Sequence, residues 1–348
     1  MSTHSPSSLL AFATALLTRS GLSPDRAAVV AGILLDADLL GHTTHGLDML
    51  PRYLQELQDG RMAREGDPAV LRDAGCAVTW DGRRLPGPWL TTRAVALARA
   101  RAAAHGIGIV VIRRSHHIGC LQAYLEPVAR DGLAMLLTCS DPSGAGVAPH
   151  GGTSSVLTPN PIAFGFPTSG DPVLIDVSMS TTTNAMIWRL REEGRQLPGP
   201  WLVDADGRPS ADPAVLQGDR PGATLPLGGL DLGHKGFALA LMVEALTSAL
   251  AGHGRADAPR EWGASVFLQV IDPAAFGGRD AFVREATEVA ARCRASAVPA
   301  GSAPVRLPGE RALQRRREQL RDGVELYPST LPALEAWADR VGVPRLSD

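Results

Sequence analysis

The chain has 348 residues, 34 basic and 36 acidic side chains and a formal net charge of −2. That length suffices for a large core and predicts two domains, and the balanced charge presents no basic face for nucleic acid. Cys76, Cys120, Cys139 and Cys293 are scattered without a CxxC pair, which argues against a zinc ribbon or a disulfide scaffold and fits a reducing, cytoplasmic setting.

Near the N-terminus, Leu9, Leu10, Phe12, Ala13, Leu16 and Leu17 recur at helical spacing with no basic stretch before them, an amphipathic helix rather than a leader peptide. No apolar run reaches the roughly 18 residues of a membrane span, so a soluble protein is expected. Ser23 and Pro24 read as the cap and first residue of a second helix, with Val30, Ile33, Leu34, Ala37 and Leu40 on one face. Pro51 starts or kinks a third that carries Tyr53, Leu54 and Leu57. "CAVTWDG" reads as a strand and "TTRAVALARARAAAHG" as a helix ending at Gly106. "IGIVVIRRS" and "LAMLLTCSD" are continuous apolar runs, hence buried strands, and a helix over 121–130 between them predicts a strand–helix–strand unit. A Gly/Pro/Ser/Thr-rich stretch follows, with short strands at Ile162–Phe166 and Val173–Val177. "GPWLVDADGRPSADP" reads as an ordered surface turn. A long apolar helix is expected from His234 to Leu250, then a strand, "ASVFLQVID", and three closing helices.

Four of the nine histidines fall in two tight groups, His42-Thr43-Thr44-His45-Gly46 and Ser115-His116-His117-Ile118-Gly119. Histidine exchanges protons near neutral pH, and the second group follows a buried strand, where a side chain can face a cleft. For any one of them the plain alternative is a hydrogen-bonded or surface side chain. A metal site of His42, His45 and His117 is a further reading, but the acidic partner of a metalloprotease motif is missing. No GxGxxG follows a strand, so the common dinucleotide fingerprint is absent. Lys235 is the only lysine, every other basic residue being arginine. It reads as the start of a helix approached by glycines, and a helix N-terminus with an ammonium group suits a phosphate. Asp176 closes a strand and precedes a run of hydroxyls, donors suited to ribose or phosphate oxygens; Asp176 itself either accepts from ribose or caps the next segment.

Taken in order, these stretches resemble the type 2 malate/L-lactate dehydrogenase family, NAD(P)-dependent oxidoreductases that include ureidoglycolate and sulfolactate dehydrogenases and cyclic imine carboxylate reductases. Thr44-His45-Gly46 stands for the family's Ser-His-Gly, and Ser115-His116-His117-Ile118-Gly119 for its Ser-Asn-His-x-Gly. Thr158-Pro159-Asn160-Pro161-Ile162-Ala163, Asp176-Val177-Ser178, Gly233-His234-Lys235-Gly236-Phe237-Ala238-Leu239 and Pro308-Gly309-Glu310 match its remaining motifs.

The resemblance implies a family-specific, non-Rossmann, NAD(P)-binding mixed α/β fold with helical N- and C-terminal segments. It implies a helical, dimerising part over 1–115 with 305–348, a cofactor-binding α/β part over 116–304, and a homodimer with active sites near the subunit contact. NAD or NADP would lie along Ser140, Asn160, Asp176, Val177, Ser178, Met179, Ser180, Thr181, Thr182, His234, Lys235, Gly309, Glu310 and Arg311. His117 and His45 match the acid/base histidines, and Thr44, His116, Met49 and Arg52 would face the substrate; no metal is implied. The expected reaction moves a hydride between nicotinamide and C2 of a small 2-oxo or 2-hydroxy acid, or alternatively reduces a cyclic imine carboxylate. The chain departs from the family at Met49, where an arginine is usual. A thioether makes no bidentate pair with a carboxylate, and Arg52, three residues on, is the nearest substitute. A catalytically inert, cofactor-binding relative and, more remotely, a metal-dependent hydrolase are the competing readings.

Overall fold

The N-terminal helices form where the apolar spacing predicts them. A computed structural model of the chain describes residues 3–346; Met1, Ser2, Ser347 and Asp348, and with them the outer limits of the expected helical part, lie outside the described residues. After a short strand, β1 (Thr3–His4), come α1 (Pro6–Arg19), α2 (Pro24–Leu39), and a 3₁₀ turn leading into α3 (Leu50–Gln58). Prolines open all three helices, where a missing N–H leaves nothing unpaired. Leu9, Leu16, Leu34, Tyr53 and Leu54 are fully buried in one core with Val324 and Leu334.

Next come β2 (Ala69–Asp73), β3 (Ala77–Asp81), α4 (Gly87–His105), β4 (Ile107–Ser115), α5 (Leu125–Arg130), β5 (Ala134–Ser140), β6 (Ile162–Phe166) and β7 (Val173–Val177). β2 has no counterpart among the predicted elements. It is an edge strand with a bulge and largely exposed side chains, so no apolar alternation marks it. α6 (Asn184–Glu192) precedes a small antiparallel sheet of β8 (Leu202–Val203), β9 (Pro209–Ser210) and β10 (Ala223–Thr224), into which the expected surface turn is built. Then follow α7 (Gly229–Glu244), β11 (Ala264–Ile271), α8 (Arg279–Arg294), α9 (Glu310–Asp322), β12 (Val324–Glu325) and α10 (Thr330–Val341). Among the described residues no helix is long and apolar enough to cross a membrane.

The main sheet has seven strands in the order β2-β3-β4-β11-β5-β6-β7. Only β3 and β4 pair in parallel; every other neighbouring pair is antiparallel. This is a mixed α/β fold, not a doubly wound parallel sheet. The predicted strand–helix–strand unit needs correcting. β4 and β5 share a direction, but β11 lies between them, antiparallel to both. A continuous apolar run marks a buried strand, and all three strands carry one; it says nothing of which strands are neighbours.

The registers bring particular strand ends together. Ser115 pairs with Ala264, Ser265 with Ser140, Thr138 with Ile162, and Ile162 with Val177. The C-terminal ends of β4, β5 and β7 and the starts of β6 and β11 therefore share one edge of the sheet, and both the His116–His117 pair and Asp176 emerge there.

α7 starts five residues earlier than expected, at Gly229 rather than His234. Gly233 and Gly236 do not interrupt the helix. A Cβ at Gly236 would lie 2.4 Å from the Leu227 carbonyl oxygen, and one at Gly233 2.9 Å from the Pro226 ring. These glycines admit a close backbone approach.

The same device seats α4 on the sheet. A Cβ at Gly108 would stand 2.0 Å from the carbonyl oxygen of Ala98. Overpacked sites are destabilised by about 1–3 kcal/mol, and this neighbour is backbone that cannot rotate away. Gly108→Ala is expected to lose at least the upper end of that range, read as a lowered urea midpoint with an unchanged slope.

Candidate active site

Two turns carry the histidines. The first follows α2 and is built over Asp38. The Asp38 Oδ2 accepts from the Leu47 N–H at 2.7 Å, and a Cβ at Gly46 would fall 2.3 Å from the Asp38 carboxyl atoms. Burial pushes the Asp38 carboxyl up to about 7 against that hydrogen bond. The second turn leaves β4 at Ser115 and passes over the start of α4. There a Cβ at Gly87 would lie 2.2 Å from the His117 carbonyl oxygen and 2.3 Å from that of His116. Glycines at 46 and 87 thus let each histidine turn close onto its support.

The two turns meet through their rings. His45 and His117 stack with centroids 5.8 Å apart and planes 26° apart. The Tyr53 hydroxyl donates to the His117 carbonyl at 2.9 Å and lies 2.8 Å from His117 Nδ1; the Gly119 N–H is 3.3 Å from the same nitrogen. The Gly119 N–H donates to Nδ1, so that nitrogen is an acceptor that the Tyr53 hydroxyl also faces, and the neutral ring then carries its proton on Nε2. Trp262 stacks on His117 at 4.8 Å, and the Arg52 guanidinium lies 3.5 Å from the Trp262 ring. Burial lowers the basicity of both histidines. His45 falls to about 4, helped by the charges of His42 and Arg189; His117 falls well below the usual range, helped by His45, His116 and Arg52. Both rings are therefore neutral at pH 7.

The remaining expected substrate residues fall in different places. Thr44 Oγ1 lies 2.9 Å from His45 Nδ1 and orients that ring. Met49 packs against the core of the N-terminal helices. Arg52 is exposed apart from its stack on Trp262. His116 is fully buried, with Nε2 3.3 Å from Glu56 Oε2, and its edge meets Trp262 at 4.9 Å. His42, His45 and His117 do not converge as a ligand set. The described residues instead bring donor atoms of His42, Cys120 and Asp176 within 4.8 Å of one another. These three are already joined by hydrogen bonds. Asp176 Oδ2 accepts from the Gln122 N–H at 3.0 Å and from the Cys120 thiol at 3.7 Å, and Gln122 Oε1 lies 2.7 Å from His42 Nε2. Asp176 thus turns inward toward the histidine turns.

The expected cofactor residues divide into structural and free groups. Ser140 is buried and bonds Thr247 and Ser248, in a π-helical segment, Ala245–Ala249, that continues α7. Asn160, at a φ of 43°, donates to the Ala240 carbonyl and to Glu244. The hydroxyls of Ser178, Ser180 and Thr181 bond to backbone carbonyls of the same loop or its neighbours, and Met179 is buried. Val177 is exposed at the strand end, and the Thr182 carbonyl accepts from Ser180. Gly309 packs against Leu174 of β7; Glu310 caps its own helix through the Leu307 N–H and pairs with Arg294, whereas Arg311 is exposed. His234 and Lys235 are exposed on α7, with His150 against His234 at 5.6 Å. Lys235 is not at the helix start but in the second turn, so its ammonium stands apart from the free N–H groups of the first turn.

Trp262, Tyr53 as a partner of His117, Gln122 and Arg189 are site residues that sequence reasoning missed. Trp262 sits just before the β11 apolar run, and its partners Arg52 and His117 are far from it in sequence. A lone tryptophan beside a buried strand was the sole signal.

This arrangement, two neutral histidines stacked beside an aromatic ring and an arginine at the edge of a mixed sheet, suits proton transfer next to a carboxylate. The family model for malate/L-lactate dehydrogenase matches residues 4–335, and the chain belongs to that family of oxidoreductases. It is 31% identical over 344 residues to hydroxycarboxylate dehydrogenase B of Escherichia coli O157:H7, covering 97% of this chain and 93% of that one. The fold is similar to that of malate dehydrogenase from Pyrococcus horikoshii OT3, with a TM-score of 0.88, 28% identity and coverage of 99% and 97%. It is also similar to delta1-piperideine-2-carboxylate reductase from Pseudomonas syringae pvar. tomato, with a TM-score of 0.84, 30% identity and coverage of 97% and 100%.

Asp38 offers a test of the first turn. Its carboxyl titrates at about 7 in the fold against an ordinary 3.8. Its contribution to stability is therefore full below 3.8 and is lost as pH rises through about 7. Asp38→Asn keeps an oxygen for the Leu47 N–H but does not ionise. Its stability relative to the unmodified protein is expected to rise by on the order of 1–3 kcal/mol between pH 5 and pH 8, followed by urea midpoints.

Proposed function

We propose that the chain transfers a hydride between NAD or NADP and C2 of a small 2-oxo or 2-hydroxy acid, with His117 as the acid/base and His45 as its stacked neighbour. The observation that carries this reading is the His117 environment: Tyr53 on Nδ1, Trp262 on the ring face, and Arg52 held against Trp262. In the oxidative direction His117 takes the hydroxyl proton, and Arg52 offers its guanidinium edge to the carboxylate. Burial keeps His117 neutral, the state a base requires. Bound nicotinamide supplies or accepts the hydride. Lys235 fits that group as a phosphate contact, since its ammonium is exposed and has no partner among the described residues. Because the hydroxyls of Ser178, Ser180 and Thr181 are spent on the loop itself, they shape the cofactor-binding stretch more than they touch the ligand. Reduction of a cyclic imine carboxylate is the second reading. The reductase from Pseudomonas syringae favours it, as does the flat Trp262 face beside His117, against which a ring packs well.

The same reading includes a cytoplasmic homodimer, with 1–115 and 305–348 as a mainly helical part and 116–304 as the part that holds the cofactor. Leu230, Leu232, Leu239, Leu241 and Met242 of α7 are exposed apolar side chains, and they favour placing part of the subunit contact on α7, beside Lys235.

A cofactor-oxidation screen with both nucleotides across 2-oxo acids and cyclic imine carboxylates tests the reaction and chooses the electrophile. With the substrate known, His117→Ala should lower kcat by about 10²–10⁴-fold with cofactor affinity retained. A loss confined to His45→Ala would exchange the two roles, and no loss in either would refute both. The acid limb of kcat/KM for oxidation should lie well below 6.5, because a base of lowered pKa stays neutral as pH falls; a limb at 6.5 or above would contradict the buried-base assignment.

Lys235→Ala should weaken cofactor binding by about 1.5–3 kcal/mol, measured by calorimetry, because a charged hydrogen bond is lost. The fold should change by only about 0.5 kcal/mol, as expected for an exposed side chain. Unchanged affinity would remove Lys235 from the site.

A further inference from the structure

The turn that presents Thr44 and His45 is fastened from outside by one side chain distant in sequence. Arg189 lies in the second turn of α6, and its side chain is only 11% exposed. Its Nη1 donates to Thr43 Oγ1 at 2.9 Å; its Nη2 donates to the Thr43 carbonyl at 2.9 Å and to Asp48 Oδ2 at 2.8 Å. The guanidinium therefore grips the turn on both sides of His45. It also lies 3.8 Å from the centre of the Tyr327 ring. The far side of the grip is braced: Asp48 Oδ1 accepts from Thr330 Oγ1 at 3.1 Å, and the Tyr327 hydroxyl donates to Glu193 Oε1 at 2.6 Å. Three segments, α6, the histidine turn and the start of α10, converge on this one group.

The chemistry explains why an arginine stands here. A planar fork bonds two acceptors in fixed directions while its face rests on an aromatic ring; an ammonium group does neither. Among the described residues most ion pairs have a partner with a side chain more than a third exposed and are screened by water, whereas the Arg189–Asp48 pair is 11% and 27% exposed. α6 is also the helix that directly follows the 176–182 stretch, its first turn capped by Thr183 Oγ1 on the Met186 N–H. The grip thus ties the His45 turn to the segment next to the proposed cofactor loop.

We infer that Arg189 is a positioning residue for the reaction: by holding Thr43 and Asp48 it keeps the Thr44–His45 turn in place, so that the His45 ring stays stacked on His117. The inference rests on the reading of His45 and His117 as the proton-handling pair.

The test uses the full-length protein with a substrate from the screen. Displacements of about 1 Å at a reacting group lower rates by up to about 10²-fold, so Arg189→Ala should lower kcat by about 10–100-fold while cofactor affinity by calorimetry stays within about twofold. Millimolar guanidinium ion should restore part of the lost kcat by refilling the vacated fork, an effect that a general loss of structure does not give. Arg189→Lys should recover less than the guanidinium-treated alanine variant. Unchanged kcat in Arg189→Ala overturns the inference, and so does a kcat loss without guanidinium rescue and with an equal loss of cofactor affinity. If Arg189→Ala does not fold, Asp48→Asn removes the charged acceptor but leaves the Thr43 contacts. A several-fold lower kcat then supports the grip, and a wild-type kcat overturns it. His45→Ala separates the two claims. If it lowers turnover and the Arg189 and Asp48 variants do not, the positioning role fails alone; if neither His45→Ala nor His117→Ala affects turnover, the acid/base reading fails first.

Discussion

The pairing of β11 with both β4 and β5 is the constraint from which the site follows. Side chains alternate between faces along a strand, so a slip of one residue would move every β11 side chain to the opposite face. The observed register sets Ala264 against Ser115 and Ser265 against Ser140. It thereby fixes where Trp262, two residues before the strand, meets the His116–His117 turn. The Trp262 carbonyl is tied as well, accepting from Arg84 at 2.9 Å. An antiparallel strand at the centre of the sheet thus delivers an aromatic ring to a histidine more than a hundred positions earlier in the chain.

Local chemistry made the elements legible. The apolar spacing of α1, the prolines that open α2 and α3, Gly106 in a left-handed conformation at the end of α4, and the apolar runs of β4, β5 and β11 all mark their elements where the structure has them. Neighbour order was not legible, because burial on both faces gives β4, β5 and β11 the same pattern. The start of α7 was misread for a related reason. Glycine before a helix usually marks a cap or turn, yet Gly233 and Gly236 serve packing against Pro226 and Leu227, and only the tertiary neighbours distinguish the two uses.

The histidine turns stood out in the sequence because two pairs of a rare residue type flank glycines. The supports of those histidines did not. Asp38 under Gly46, Gly87 under the His116 and His117 carbonyls, and Tyr53 on His117 Nδ1 are contacts between separate elements. The hydroxyl run after Asp176 misled in a further way: the residue types suit a sugar or a phosphate, but Ser178, Ser180 and Thr181 satisfy carbonyls in a stretch that lacks regular pairing. Residue chemistry gives what a side chain is able to bind, and packing decides what remains available.

The core of the N-terminal helices includes Val324 beside β1 and Leu334 and Ala338 of α10. Helices α1 to α3 leave the ribosome early, and the side chains that complete their core arrive only after the whole sheet has been synthesised. Until then Leu9, Leu16 and Leu34 remain partly uncovered in the growing chain, and chains with such transiently exposed apolar surface aggregate readily. Birth order thus runs against packing order: helices α1 to α3 are synthesised well before the side chains of β12 and α10 that seal their core.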